Sequence, residues 1–204
     1  MTISVIGLNH KSANIDIREK FSFTADNASL LLRRIKKVRD ILEVIVVSTC
    51  NRTEIYCESA NGSDDIKNWL LSEKEYKSFA RHLYIHQEED AIEHLFKVVA
   101  GLDSMVIGES EVLGQVKTAY KIALDNKSID GKLKRLFEYS FSVAKNVRTN
   151  TDIGGNAISF MYTSILLIKK IFSTVEEKKC LLIGAGEMTE LALKYLKSNN
   201  VNDI

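Results

Sequence analysis

Apolar and polar positions alternate in two registers over the first ninety residues. TISVIGLNH (2–10) and EVIVVST (43–49) carry β-branched runs and predict strands. Between them, ADNASLLLRRIKKVRDIL (25–42) sets Leu30, Leu31, Ile35, Val38 and Leu42 against basic residues, the spacing of an amphipathic helix. TEIYCESA (53–60) alternates like an antiparallel partner of the strand before it, which leaves CNR at the tight connection. DDIKNWLLSE (64–73) reads as a short helix and RHLYIH (81–86) as a last strand. These elements predict an α+β domain whose antiparallel sheet is covered by helices.

From residue 88 the period becomes helical. EEDAIEHLFKVVAG ends on Gly101, a helix C-cap position, and Gly108 and Gly114 interrupt the next stretch of chain. Further helices are expected at 115–126, 132–150 and 157–172. KKCLLIGAGEMTELALKYLKSNN (178–200) then turns abruptly into strand, glycine turn and helix, the opening of a Rossmann α/β domain. No internal repeat or low-complexity linker interrupts this order.

Length and charge narrow the picture only a little. The 204 residues suffice for one generous domain, or one domain and part of another. A net charge of +1 exerts no global pull on nucleic acid, so any RNA contact needs a local patch. No apolar run is long enough to span a bilayer, and MTISVIGLNH lacks the basic and apolar regions of a signal peptide. A cytoplasmic location without membrane association is expected. Cys50, Cys57 and Cys180 are too unevenly spaced for a disulfide framework or a zinc site. His10, His82 and His86 share no metal-ligand spacing, so no metal is expected. Proline is absent altogether, a compositional bias that weakens arguments from single missing residue types.

Five features carry candidate chemistry. In VVSTCNRTEIY (46–56), Cys50 is wrapped by Ser48, Thr49, Asn51 and Arg52 rather than by apolar neighbours. A flanking cation such as Arg52 would favour a thiolate, although a half-buried cysteine at a strand end fits the same pattern. Cys57 and Cys180 lie in strand-like settings and read as packing residues. LLIGAGEM (181–188) has the Gly-x-Gly form of a dinucleotide turn, with Thr189 where a third small residue is usual; a plain strand–helix turn is the alternative. The segment 101–117 gathers Asp103, Ser104, Glu109, Glu111 and Gln115 among glycines, as a polar pocket or a surface loop would. His94 flanks the stripe of Ala91, Ile92, Leu95 and Val99. Finally, residues 131–148 place Lys134, Lys145 and Arg148 opposite Leu133, Leu136, Phe137, Ala144 and Val147, either a phosphate-binding or a solvated face.

Taken in order, GLNHKSA (7–13), STCNRTEIY (48–56), GLDSMVIGESEVLGQVK (101–117), FSVAKNVRTNTDIG (141–154) and LLIGAGEM (181–188) resemble the glutamyl-tRNA reductases, through essentially the whole chain. The resemblance implies a catalytic, glutamyl-tRNA-binding domain over 1–155, a connecting helix over 156–175, and the beginning of an NADPH-binding Rossmann domain over 176–204. It implies that Cys50 is the nucleophile and His94 a residue important for activity. Thr49, Asn51, Arg52, Ser104, Glu109, Ser110, Glu111 and Gln115 would bind substrate, though the family often has proline and glutamine at 110 and 111. Gly184, Ala185, Gly186, Glu187, Met188 and Thr189 would form the cofactor turn.

The activity so implied is reduction of glutamyl-tRNA(Glu) by NADPH to glutamate-1-semialdehyde through a cysteine thioester, the first step of five-carbon tetrapyrrole synthesis. Expected partners are the charged tRNA, a second subunit in a full-length homodimer, and glutamate-1-semialdehyde aminomutase. The sequence reaches Ile204 about where a second Rossmann strand would begin. The strand at 180–183 is therefore expected to lack neighbours, residues 176–204 to be poorly protected, and NADPH to bind weakly. A non-reducing fragment that binds glutamyl-tRNA or hydrolyses its ester is the alternative reading.

Overall fold

The computed structural model describes residues 1–73, 76–109, 111–155, 160–172, 174–184 and 186–204, and the side chains of these except at 160–162, 187, 188 and 191. The chain divides into two compact units, Met1–Gly155 and Asn156–Ile204.

The first unit is built on a four-stranded sheet of order β2-β3-β1-β4, antiparallel at every pairing: β1 (Thr2–Asn9), β2 (Ile41–Ser48), β3 (Arg52–Ser59) and β4 (Tyr84–Gln87). All eight residues of β3 are buried. Six helices surround the sheet: α1 (Ile15–Lys20), α2 (Ala25–Ile35), α3 (Ser63–Ser72), α4 (Glu88–Val99), α5 (Glu111–Asp125) and α6 (Lys132–Asn150). A 3-10 helix, Lys77–His82, leads into β4, and a short α7 (Asp152–Gly155) closes the unit. Valines 44, 46 and 47 of β2, Ile55 and Tyr56 of β3, and Leu133 and Phe137 of α6 share one apolar core. Tyr56 meets Phe137 edge-on at 5.3 Å between ring centroids.

Three elements depart from expectation. The helix expected over 25–42 stops at Ile35, because Ile41 is needed as a buried strand residue opposite Ser59 while Leu42 points outward. The apolar spacing of Val38 and Leu42 therefore imitated another helical turn. The helix expected from 115 begins at Glu111, and α1, whose Asn14 side chain accepts from the Ile17 amide, was not anticipated.

One long-range cap fixes the start of α6. Its N-cap is Gly131, which has no side chain to offer. Glu43 of β2 supplies the acceptor instead: its carboxylate takes the N–H groups of Asp130 and Gly131 at 2.6 Å and of Leu133 at 2.7 Å. These donors would otherwise be orphaned at a buried helix end.

The second unit packs α8 (Phe160–Ile171) with α9 (Glu187–Ser198) around Ile165, Val175, Leu196 and Val201. The expected strand at 180–183 is not formed. Among the described residues it has no strand to pair with; Cys180 donates its amide to Asp203 O, and Leu181 and Ile183 are 83% and 90% exposed. A β-strand is completed by its neighbour, and apolar sequence alone does not supply one.

Candidate active site

The hairpin between β2 and β3 has only Thr49, Cys50 and Asn51 between its strands. Thr49 makes the turn. Its Oγ1 accepts from the amides of Asn51 at 3.1 Å and Arg52 at 3.2 Å, and its own amide donates to Arg52 O at 2.8 Å. Asn51 O in turn accepts the His10 amide at 3.0 Å, which ties the hairpin to the end of β1. Cys50 stands at the apex and is exposed, whereas Cys57 is fully buried and Cys180 partly so.

Although its surface is open, the neighbouring chain desolvates the Cys50 thiol and pushes its pKa up. The carboxylate charge of Glu109 adds to the effect and that of Glu111 comes next, while the residue's own backbone N–H and the Arg18 charge work against it. The expectation that Arg52 flanks the thiol as a helpful cation is not met. Side chains alternate along a strand, and Arg52 turns with Glu54 and Tyr56 onto a buried face. The cation whose charge favours the Cys50 thiolate is Arg18, which the sequence pattern does not single out.

Arg52 is 1% exposed, and both of its terminal nitrogens bond acidic or carbonyl oxygens. Its Nη1 donates to Glu54 Oε1 at 2.8 Å and to Asp103 Oδ2 at 3.0 Å, and its Nη2 donates to Asp103 O. Glu54 is the hub of this cluster. Oε1 also accepts from Tyr84 Oη at 2.5 Å and from His94 Nε2 at 2.8 Å, and Oε2 accepts from Tyr56 Oη at 2.7 Å. Burial alone would raise the Glu54 pKa, but the His94 hydrogen bond, the Arg52 charge and the Tyr84 hydroxyl together hold it far below the usual carboxylate range. The same surroundings raise the Arg52 pKa despite burial. His94 stacks on His86 at 4.8 Å and meets Tyr84 edge-on, so its ring is fixed on both sides.

Sheet register explains how these groups meet. Glu54, Gly7 and Tyr84 lie side by side on β3, β1 and β4. A Cβ at Gly7 would stand 2.6 Å from Thr53 O and 2.8 Å from Glu54 Cγ. Only glycine leaves room for the Glu54 side chain at this crossing.

The 101–109 segment leaves α4 through Gly101 and returns through Gly108, both with positive φ, and Gly108 N donates to Gly101 O at 2.9 Å. Asp103 anchors it, held between Lys11 Nζ at 2.5 Å and Arg52. Burial would raise the Asp103 pKa, but Lys11 and Arg52 bring it below its usual value. Ser104 Oγ is buried without a partner, as are His10 Nδ1 and Arg18 Nε. Glu109 is half-buried; burial first and Glu111 second raise its pKa. Gln115 is partly exposed on α5, and Ser110 lies outside the described residues.

Thus the charges of Glu109, Glu111 and Arg18 act on Cys50, and hydrogen bonds separately join Arg52 to His94 through Glu54. Glu54, Tyr84, Lys11, His10 and Arg18 were missed by sequence reasoning. A carboxylate two residues from an arginine, on a strand that also carries Ile55, Tyr56 and Cys57, was the available signal for Glu54.

In the second unit Gly184 adopts φ +126° and Gly186 caps α9 without any side-chain acceptor. A Cβ at Gly186 would meet nothing within 4 Å. A Cβ at Gly184 would stand 3.2 Å from Thr189 Oγ1, so the open space lies at Gly186, where the twelve-residue α9 begins with uncapped amides. Thr189 N bonds Gly186 O at 2.9 Å; Ala185 and the side chains of Glu187 and Met188 lie outside the described residues. Among the described residues no group of histidine, cysteine or acidic side chains could hold a metal, and no helix is long and apolar enough to cross a membrane.

A helix-covered antiparallel sheet bearing an exposed cysteine, joined to a glycine-turn unit, has close counterparts. The family described as Glutamyl-tRNAGlu reductase, N-terminal domain, matches residues 6–151, and that described as Shikimate / quinate 5-dehydrogenase matches residues 166–204. The chain is 42% identical over 206 aligned positions to the glutamyl-tRNA reductase of Idiomarina loihiensis, covering 100% of this chain and 49% of that protein. It is 43% identical over 200 positions to that of Aliivibrio fischeri strain ES114, covering 96% and 48%. A solved structure, glutamyl-tRNA reductase from Methanopyrus kandleri, matches with a TM-score of 0.64 at 25% identity, covering 98% of this chain and 47% of that one. The chain belongs to the glutamyl-tRNA reductase family. It spans about half the length of the curated relatives it matches.

Proposed function

We propose that the first unit takes the glutamyl group from glutamyl-tRNA onto Cys50 as a thioester, the form from which glutamate-1-semialdehyde is released by reduction. The observation that carries the reading is the exposure of Cys50 at the apex of a braced hairpin, beside acidic and unpartnered polar groups, while Cys57 is sealed in the core. The Cys50 thiol gives up its proton, the thiolate sulfur attacks the ester carbonyl carbon, and the bond to the tRNA 3′ oxygen breaks, that oxygen taking up a proton as it leaves. NADPH, when bound, would supply the hydride that converts the thioester to aldehyde and thiolate.

The residues divide this work by charge. A thiol with a raised pKa needs help to ionise at neutral pH, and the substrate itself carries the means. Its α-ammonium, seated against Glu109 and Glu111, neutralises the two carboxylates that oppose the thiolate. Arg18, with an unpartnered Nε, suits the side-chain carboxylate, and Ser104 Oγ and His10 Nδ1 offer further polar contacts. Arg52 acts as a positioning residue: it holds Glu54 and Asp103, and through them His94 and the 101–109 segment. The glycine turn at 184–186 would hold the cofactor pyrophosphate at the N-terminus of α9.

Mass spectrometry after incubation with glutamyl-tRNA tests the reading. A glutamyl adduct on Cys50, absent in Cys50→Ser, is expected; an adduct that survives this substitution would overturn it.

A further inference from the structure

A groove between α5 and α6 lies outside the chemistry described above. It encloses about 470 Å³, within the range of small-ligand sites, and its walls include Lys117, Phe141, Ser142, Lys145, Arg148 and Thr149. Lys117 and Lys145 are exposed, and neither is ion-paired among the described residues. Phe141 is half-buried, with Tyr120 edge-on at 5.5 Å and Lys117 Nζ 5.7 Å from its ring centroid. Cations, two hydroxyls and an aromatic ring therefore share one open cleft. On a chain of net charge +1 this concentration is local rather than a property of the whole surface.

The groove also adjoins the thiol neighbourhood. Arg148 lines it and donates from Nη2 to Gly108 O at 2.8 Å and from Nη1 to Glu109 O at 3.4 Å. Glu109 is the residue whose charge bears most on Cys50. A polyanion seated in the groove would thus lead directly to the segment that faces the nucleophile.

We propose that the α5–α6 groove binds the single-stranded 3′ end of an RNA, with Lys117 and Lys145 on backbone phosphates and a base against Phe141. Lysine–phosphate attraction with base–aromatic stacking is the general mode for single-stranded nucleic acid. The inference rests on the reading that the substrate is an aminoacylated tRNA. The expected 3′ end would run from the groove past the Arg148-held carbonyls toward Cys50.

The test uses the 204-residue chain and a fluorescein-labelled, uncharged RNA hairpin ending in single-stranded CCA, read by anisotropy over a salt series. Binding at least tenfold tighter than to the blunt hairpin is expected. The double variant Lys117→Glu/Lys145→Glu should lose tenfold or more, with a salt slope smaller by about 0.7 for each phosphate contact removed. Phe141→Leu, which keeps an apolar partner for Tyr120, should lose the preference for the overhang while keeping most of the salt slope. If the double variant fails to fold, Lys117→Gln/Lys145→Gln replaces it with the same expectation. Unchanged affinity in a folded charge variant, equal binding of the blunt hairpin, or no RNA binding by the parent chain would each overturn the proposal. Because the probe carries no amino acid, these outcomes are independent of the Cys50 adduct that tests the proposed chemistry.

Discussion

Arg52 and Glu54, two residues apart on β3, face the same way and meet at 2.8 Å, with relative exposures of 1% and 0%. The pair is completely removed from water, so removing one partner strands the other. Glu54→Gln is expected to destabilise the first unit by about 3–5 kcal/mol, the range for breaking a buried ion pair. Urea denaturation checks this, and His94 should lose its fixed ring position in the same variant.

The pH dependence of this pair has a definite sign. The folded-state pKa of Glu54 is depressed, so the unfolded chain takes up its proton first as pH falls. Its contribution is complete above the ordinary carboxylate range and declines below about pH 4. The parent chain should therefore lose stability progressively below that point in denaturation midpoints. The Glu54→Gln variant should show a shallower acid decline, and an equally steep one would mean that other carboxylates set it.

Gly7 tests the crossing from the other side. A methyl group there would overlap Thr53 O and Glu54 Cγ, and the first of these is backbone that cannot rotate away. Gly7→Ala should cost about 1–3 kcal/mol as an overpacking change. Its distinguishing mark is disturbance of the Glu54 cluster, visible as shifted Tyr84 and His94 side-chain resonances.

Glu43 joins a strand to a helix 87 residues away by sequence separation to Asp130. Glu43→Ala leaves three helix-end amides without an acceptor, and orphaned buried donors of this kind cost about 3 kcal/mol or more together. Hydrogen exchange should accelerate first at Asp130, Gly131 and Leu133. Glu43→Gln, which keeps one acceptor oxygen, should fall between.

These particular residues also mark what sequence could and could not reveal. Strands β1 and β2 were legible from their β-branched runs and β3 from its alternation, although all three are buried over most of their length. Cys50 and the 101–117 segment were legible because polar residues crowded where packing would not want them. The partners of Arg52 were not legible. Its nearest sequence neighbour of interest is Cys50, but Cys50 lies in the turn while Arg52 opens the buried strand β3, so the period-two rule does not join them, and Asp103 arrives from 51 positions away. The strand at 180–183 failed for a related reason, since its apolar pattern says nothing about whether another strand lies alongside.

The ionisation of Cys50 gives the last prediction. Its pKa is raised by desolvation and then by Glu109 and Glu111, and lowered by Arg18. Alkylation by iodoacetamide tracks the thiolate, so its rate at Cys50 should rise through a midpoint above that of a free cysteine. Removing a neighbouring negative charge favours the thiolate, so Glu109→Gln should move the midpoint down. Removing the cation disfavours it, so Arg18→Met should move the midpoint up. Cys57, whose pKa burial pushes up to about 11, should stay unlabelled while the chain is folded. Peptide mass spectrometry over a pH series separates the two thiols. Shifts of the same sign in Glu109→Gln and Arg18→Met would mean that the charges around the hairpin do not govern the nucleophile.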